Sequence, residues 1–77
     1  MRDKAAEKAV SKLVDEFIRI RKESGLSHDM LAEAAGVHRS TISLIESKKR
    51  IPTILTCWRI AGALKVKLSA VIKQAED

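Results

Sequence analysis

Residues 28–47 read HDMLAEAAGVHRSTISLIES, and the spacing within this stretch decides the fold. Ala32 is small enough for a second helix to cross close to it, and Gly36 supplies the positive φ angle of a tight bend. The spacing therefore predicts two short helices joined by a turn. The positions that match this arrangement are Leu31, Ala32, Gly36, Val37, Ile42 and Ile45.

Three further helices are predicted around this pair. Apolar residues recur every three or four positions in the N-terminal third of the chain, which is typical of an amphipathic helix. Ser27 and Thr53 are good N-caps, and Gly25 readily closes a helix. The pattern predicts an all-α, compact five-helix bundle in one domain, residues 1–77, with residues 1–12 extending the first helix. The predicted helices are residues 5–22, 28–34, 38–47, 54–64 and 68–74.

Composition and charge narrow the class of partner. The net charge of +5 and the pI of about 9.7 favour a polyanion, although charge alone does not separate DNA from RNA or anionic lipid. No apolar run approaches the roughly 20 residues of a membrane span, and the charged N-terminus is unlike a signal peptide. We expect a soluble, cytoplasmic protein without membrane contacts.

The residues that most often bind metals or act in catalysis are not arranged for either role. His28 and His38 lie ten residues apart on different predicted helices, and Cys57 falls on the buried stripe of the fourth helix. No second acid or base stands where it could relay a proton. We expect no metal, no cofactor and no enzymatic activity.

Several short motifs resemble one known family, the Cro/repressor-like or Xre-type helix-turn-helix transcriptional regulators. The resemblance covers roughly residues 13–72 and implies a lambda-repressor-like fold. It further implies a dimer on a palindromic DNA operator, with the third helix, residues 38–47, in the major groove. The motifs are Gly25-Leu26-Ser27, Leu31-Ala32, Gly36-Val37, Ser40-Thr41-Ile42-Ser43, Ile45-Glu46 and Arg59-Ile60-Ala61.

The same resemblance implies which residues touch DNA. Among them, Arg39 can offer two parallel donors to guanine O6 and N7, so we expect it to contribute most to specificity. The implied base contacts are His38, Arg39, Ser40, Ser43 and Leu44. The implied phosphate contacts are Ser27, His28, Thr41, Lys48, Lys49 and Arg50. Positive side chains outnumber negative ones between Arg19 and Arg59. This excess favours phosphate binding by the basic triplet, Lys48, Lys49 and Arg50.

Other implied roles are structural. Arg21 and Glu46 match positions that form an ion pair between the first and third helices. Leu55, Trp58, Leu68 and Ile72 are expected at a dimer interface, although a half-buried Trp58 that caps the monomer core is an alternative. The N-terminal extension is compatible with solvent exposure or with packing on a second subunit.

The sequence departs from the family pattern at three positions. His28 replaces the usual glutamine, and Lys48 and Lys65 stand where glycine usually ends a helix, at a cost of about 1 kcal/mol each. The leading expectation is a cytoplasmic, nucleoid-associated repressor or activator without a small-molecule ligand. The alternative is an antitoxin-like protein that binds a protein partner and regulates its own gene.

Overall fold

The computed structural model describes residues 4–77, and five α-helices occupy that range. Each begins and ends within two residues of its predicted position, so the all-α fold class is confirmed. His38 and Ser47, the predicted ends of the third helix, are its caps. Residues 1–3 of the predicted N-terminal extension lie outside the described part of the chain. The helices are α1 (Lys4–Glu23), α2 (His28–Ala35), α3 (Arg39–Glu46), α4 (Ile54–Ala63) and α5 (Leu68–Glu76).

Two helices begin at the N-caps that the sequence predicts. The Ser27 hydroxyl accepts a hydrogen bond from the Met30 amide at 3.1 Å, and the Thr53 hydroxyl accepts one from the Thr56 amide at 3.0 Å. Each bond pairs an amide that has no partner inside its helix. The starts of α2 and α4 are therefore specified locally.

Four helices end in the same way, with one residue at positive φ. The φ angles are 72° at Gly25, 72° at Gly36, 65° at Lys48 and 61° at Lys65. After each helix, the amides of this residue and of the next one bond back to carbonyls of the last turn. Lys48 and Lys65 stand where glycine usually ends a helix, and both adopt the positive φ angle expected at such positions. A side chain in this conformation is strained.

One hydrophobic core joins all five helices. The helix α1 packs against α3 and α5, while α4 packs against α2 and α5, so α3 is held between its neighbours α1 and α2. Leu31 and Ile42, one from each helix of the predicted pair, are the most deeply buried large side chains. The other buried hydrophobic residues are Val14, Phe17, Ala32, Ala35, Ile45, Cys57, Ile60, Ala61, Leu64, Leu68, Val71 and Ala75.

Two side chains lie elsewhere than the apolar pattern predicts. Leu68, expected on an exposed patch at a dimer interface, is only 7% exposed and belongs to the core, because the first turn of α5 packs against its neighbours. Ile54 has the helical spacing of the buried Cys57 and Ile60, which predicts an inward position, but it is 65% exposed at the first position of α4. Helical periodicity predicts which face of a helix a residue lies on, but it does not predict which residues of that face are covered by other helices.

Candidate nucleic-acid interface

The third helix, α3, is buried on one side and polar on the other. Ile42 and Ile45 are buried, whereas Arg39, Ser40 and Ser43 are exposed. Of the remaining predicted contacts near α3, His38 is exposed, and Thr41 and Leu44 are half-buried. An eight-residue helix with short polar side chains facing outward has the dimensions and the chemistry to enter a DNA major groove.

A buried ion pair fixes the C-terminal end of α3 to α1. Arg21 donates from Nε to Glu46 Oε2 at 2.6 Å and from Nη2 to Glu46 Oε1 at 2.9 Å. Its third nitrogen, Nη1, donates to the Leu26 carbonyl at 2.8 Å. The two side chains are 11% and 13% exposed, so the pair implied by the resemblance is present and largely shielded from water. Two parallel bonds give this contact a defined geometry.

His28 takes part in the same network. Its Nε2 lies 2.9 Å from Glu46 Oε1 and donates the hydrogen bond, because a carboxylate only accepts. Burial acts to raise the pKa of Glu46, but hydrogen bonds from Arg21 and His28 outweigh burial, and the pKa lies below its ordinary value. Glu46 thus joins α1, α2 and α3. Only Nδ1 of His28 remains available for the phosphate contact that the sequence suggested.

An exposed ion pair lies at the other end of α3. Arg39, the first residue of the helix, holds the Asp29 carboxylate of α2, with Nε 3.0 Å from Oδ1. The side chains are 67% and 75% exposed. The sequence alone predicts no role for Asp29 at the interface. Because the contact joins two different helices, the spacing of residues along one helix does not predict it.

The basic triplet after α3 is divided between two roles. Lys48 Nζ donates to Ser11 Oγ at 2.6 Å and lies 2.9 Å from Asp15 Oδ1, which directs this ammonium group to α1. Lys49 and Arg50 are exposed and form no ion pair with any residue in the range 4–77. Two of the three predicted phosphate contacts in the loop therefore keep an unpaired charge.

One further basic residue lies beside this loop. Arg59 of α4 lines a surface groove of about 330 Å³ together with Arg50, His38 and Thr41. In the sequence, Arg59 belongs to a family motif and adds to the positive charge, but no DNA contact is predicted for it. Arg59 lies off the inward stripe of α4, and this position is the sequence signal that could have identified it as a surface charge. The groove extends the positive surface from α3 to α4.

An apolar groove lies on a different face, formed by α4 and α5. Trp58 and Ile72 line its sides, Leu68 lies at its floor, and its volume is about 490 Å³. Trp58 is 66% exposed, so the alternative placement as a half-buried cap of the core is wrong. Leu55 is 57% exposed but does not line the groove. Three of the four predicted interface residues are thus brought together.

Residues 4–77 contain no group of three or more His, Cys, Asp or Glu side chains placed to hold a metal ion. Across the same range, no helix has the length and apolar character needed to cross a membrane. Cys57 is buried, and burial raises the pKa of its thiol.

Comparison with known proteins is consistent with this geometry. Residues 18–71 match the helix-turn-helix family HTH_3. The HTH-type transcriptional regulator SutR of Escherichia coli is 39% identical over 59 residues, which is 77% of this chain and 33% of that protein. The immunity repressor protein of Bacillus phage phi105 is 40% identical over 53 residues, 69% of this chain and 37% of that protein.

A shorter relative matches along most of its length. The HTH-type transcriptional regulator y4dJ of Sinorhizobium fredii is 36% identical over 61 residues, which is 79% of each chain. The matched region spans only about a third of SutR and of the phage repressor.

Proposed function

This chain belongs to the HTH_3 helix-turn-helix family of Xre/Cro-type DNA-binding transcriptional regulators, and we propose that it binds a palindromic DNA operator as a homodimer. The observation that carries the proposal is the exposed polar face of α3, whose opposite face is packed into the core and whose C-terminus is fixed by the Arg21–Glu46 pair. A rigidly held helix with donors at its N-terminal end is suited to sequence readout in the major groove.

Base readout is assigned to the outward face of α3. Arg39 donates to guanine O6 and N7, and the hydroxyls of Ser40 and Ser43 act as donors or acceptors to neighbouring bases. The half-buried Leu44 is the apolar member and contacts a thymine methyl group. The proposed set, with the exposed His38 at the N-cap, is the one that the family resemblance implies.

Phosphate binding is assigned to the residues around this face. Lys49 and Arg50 bear charges without an ion-pair partner in residues 4–77, and Arg59 adds a third on the adjoining groove. Lys48 supports the loop through Ser11 and Asp15 while its charge adds to the local potential. Smaller contributions come from Ser27, His28 and Thr41. Such contacts fix the position of the protein on DNA without reading its sequence.

The apolar groove is the proposed dimer contact. An exposed tryptophan beside Ile54 and Ile72 is a large apolar surface for a monomer, and burial of these side chains against a second copy removes it from water. A two-fold dimer then places its two α3 helices about 34 Å apart, on half-sites one helical turn from each other. The name of the phage relative, an immunity repressor, supports repression as the mode of regulation.

The proposed site of action is the nucleoid in the cytoplasm, where chromosomal DNA lies. Residues 1–77 are proposed to form one DNA-binding domain, since the five helices of residues 4–77 contribute to one core. No enzymatic step is assigned, and the relatives are named as regulators.

Selection of bound duplexes from a random DNA pool tests the proposal. Wild type and Arg39→Ala are compared at two salt concentrations. In a separate measurement, light scattering compares the molecular mass of Trp58→Ser with that of wild type to detect the dimer. We expect an enriched palindrome that Arg39→Ala relaxes, and a monomeric Trp58→Ser. Salt-sensitive binding without any enriched sequence would overturn sequence-specific regulation. A monomeric wild type would overturn the dimer, and a small co-purifying protein would then favour the antitoxin-like alternative.

A further inference from the structure

The Arg39–Asp29 ion pair is closest at Nε of the guanidinium group. This atom lies 3.0 Å from Oδ1 of Asp29. Neither terminal nitrogen donates a hydrogen bond to a residue that the structure describes. Together they can form two parallel hydrogen bonds to a planar acceptor.

This division of donors matches the major-groove edge of one base. Guanine presents two adjacent acceptors, O6 and N7, whereas adenine, cytosine and thymine each present at most one acceptor beside a donor or a methyl group. A guanidinium held by Nε directs both terminal nitrogens the same way. A guanidinium without this restraint rotates about its side-chain torsions and reaches phosphates or single acceptors as well.

Two features of α2 favour the carboxylate at this position. Asp29 lies in the first turn of α2, where the positive end of the helix dipole stabilises a negative charge. The helix itself is held by the adjacent residue, His28, through Glu46 of α3. Asp29 and Arg39 are thus set on two helices whose relative position is determined by a partly buried network.

We infer that Asp29 is a specificity-determining positioning residue that orients Arg39 for guanine. The inference rests on the proposed function, since it requires α3 to bind DNA. In the free protein the exposed pair contributes little, because water competes for both charges. Once the groove excludes water, the contact strengthens and restricts Arg39 to the geometry that guanine satisfies.

The inference predicts opposite changes in affinity and specificity for one substitution. Asp29→Ala removes a negative charge near the phosphates, so binding to random DNA rises slightly. It also releases Arg39, so preference for guanine falls about fivefold at one position of each half-site. A residue that only stabilises the fold does not produce this combination.

The chain offers a matched control on the same helix. Glu33 is exposed, lies four residues after Asp29 on the same face of α2, and forms no ion pair within residues 4–77. Glu33→Ala makes the same change in net charge without touching Arg39. Asp29→Asn removes the charge but keeps a carbonyl oxygen that can accept a hydrogen bond from the guanidinium, and it serves as the conservative variant.

The experiment measures relative affinity for all four base pairs at each position of the selected site, for wild type, Asp29→Ala, Asp29→Asn and Glu33→Ala. Melting curves first establish that each variant is folded. We expect relaxed guanine preference in Asp29→Ala, partial retention in Asp29→Asn and full retention in Glu33→Ala. Rescue by asparagine separates a positioning role from a charge effect.

The experiment distinguishes failure of the proposed function from failure of the role of Asp29. If wild type selects a sequence and Asp29→Ala behaves like Glu33→Ala, the role of Asp29 is overturned and the proposed function stands. If wild type selects no sequence, the proposed function fails and the role of Asp29 fails with it. In the free protein, an Arg39 Nε–H resonance that Asp29→Ala leaves unchanged in NMR spectra also overturns the contact.

Discussion

Two arginine–carboxylate pairs lie at opposite ends of α3, and they differ chiefly in burial. Glu46, the last residue of the helix, binds Arg21 with side chains 13% and 11% exposed. Arg39, the first residue, binds Asp29 with side chains 67% and 75% exposed. The chemical groups are the same, and each pair joins α3 to another helix.

Burial determines what each pair does. Removal of one partner from a buried pair leaves the other charge without water or a counter-ion, whereas an exposed charge recovers its hydration. The Arg21–Glu46 pair therefore holds the helix in position. The Arg39–Asp29 pair leaves a guanidinium at the surface, where a ligand can reach it. Four predictions test this division, from the largest expected effect to the smallest.

The largest effect is expected for Glu46→Ala. The substitution leaves the Arg21 guanidinium uncompensated and removes the partner of His28, at a cost of about 3 kcal/mol and therefore at least about 10 °C in melting temperature. Thermal and urea unfolding measure the loss. The matched control is Asp29→Ala, which should change unfolding free energy by no more than about 0.5 kcal/mol. Equal losses in the two variants would contradict the division.

Arg39→Ala should affect recognition and spare stability. Loss of the bidentate contact removes about 1–3 kcal/mol of discrimination at one base pair, while the melting temperature stays close to that of wild type. Quantitative binding to the selected operator and to single-base variants measures the change. Lys49→Ala is the control, since it should weaken binding to every sequence alike and lower the salt slope by about 0.9. Unaltered base preference in Arg39→Ala would remove α3 from sequence readout.

Lys65→Gly should affect stability alone. Glycine relieves the strain of a side chain at φ 61°, which raises the free energy of unfolding by up to about 1 kcal/mol. Lys48→Gly relieves similar strain but loses the contacts with Ser11 and Asp15, so its gain should be smaller. Urea unfolding compares the two. A shifted base preference in Lys65→Gly would show that stability and recognition are not separable here.

The smallest effect is expected from pH. The pKa of Glu46 in the folded protein lies below its ordinary value of 4.5, so the unfolded chain binds the proton more tightly. The contribution of this carboxylate is therefore complete above pH 4.5 and is lost as the pH falls through the lower pKa of the folded state. Unfolding free energies of wild type and Glu46→Gln should converge as the pH falls from neutral to below 4.5. A gap that widens toward acid would contradict the assigned sign.

Local features of this fold were predictable from the sequence. Each of these features depends only on residues within about one helical turn of it. They are the N-caps Ser27 and Thr53, the bend at Gly36 and the positive φ angles of Lys48 and Lys65. Backbone conformation and capping depend on such near neighbours, so a linear pattern contains the information. The buried stripe of each helix follows from the same periodicity.

The contacts that complete the site were decided by tertiary structure. His28 bonds Glu46 across 18 positions, Lys48 bonds Ser11 across 37, and Asp29 meets Arg39 from another helix. Leu68 was assigned to the surface because its pattern fits an apolar face, and only the packing of α5 buries it. Which side chains meet depends on the angles at which helices cross. The sequence by itself determined the five helices and the face of α3 that points outward, while only the packing of those helices decided which arginine is buried and which is presented to a ligand.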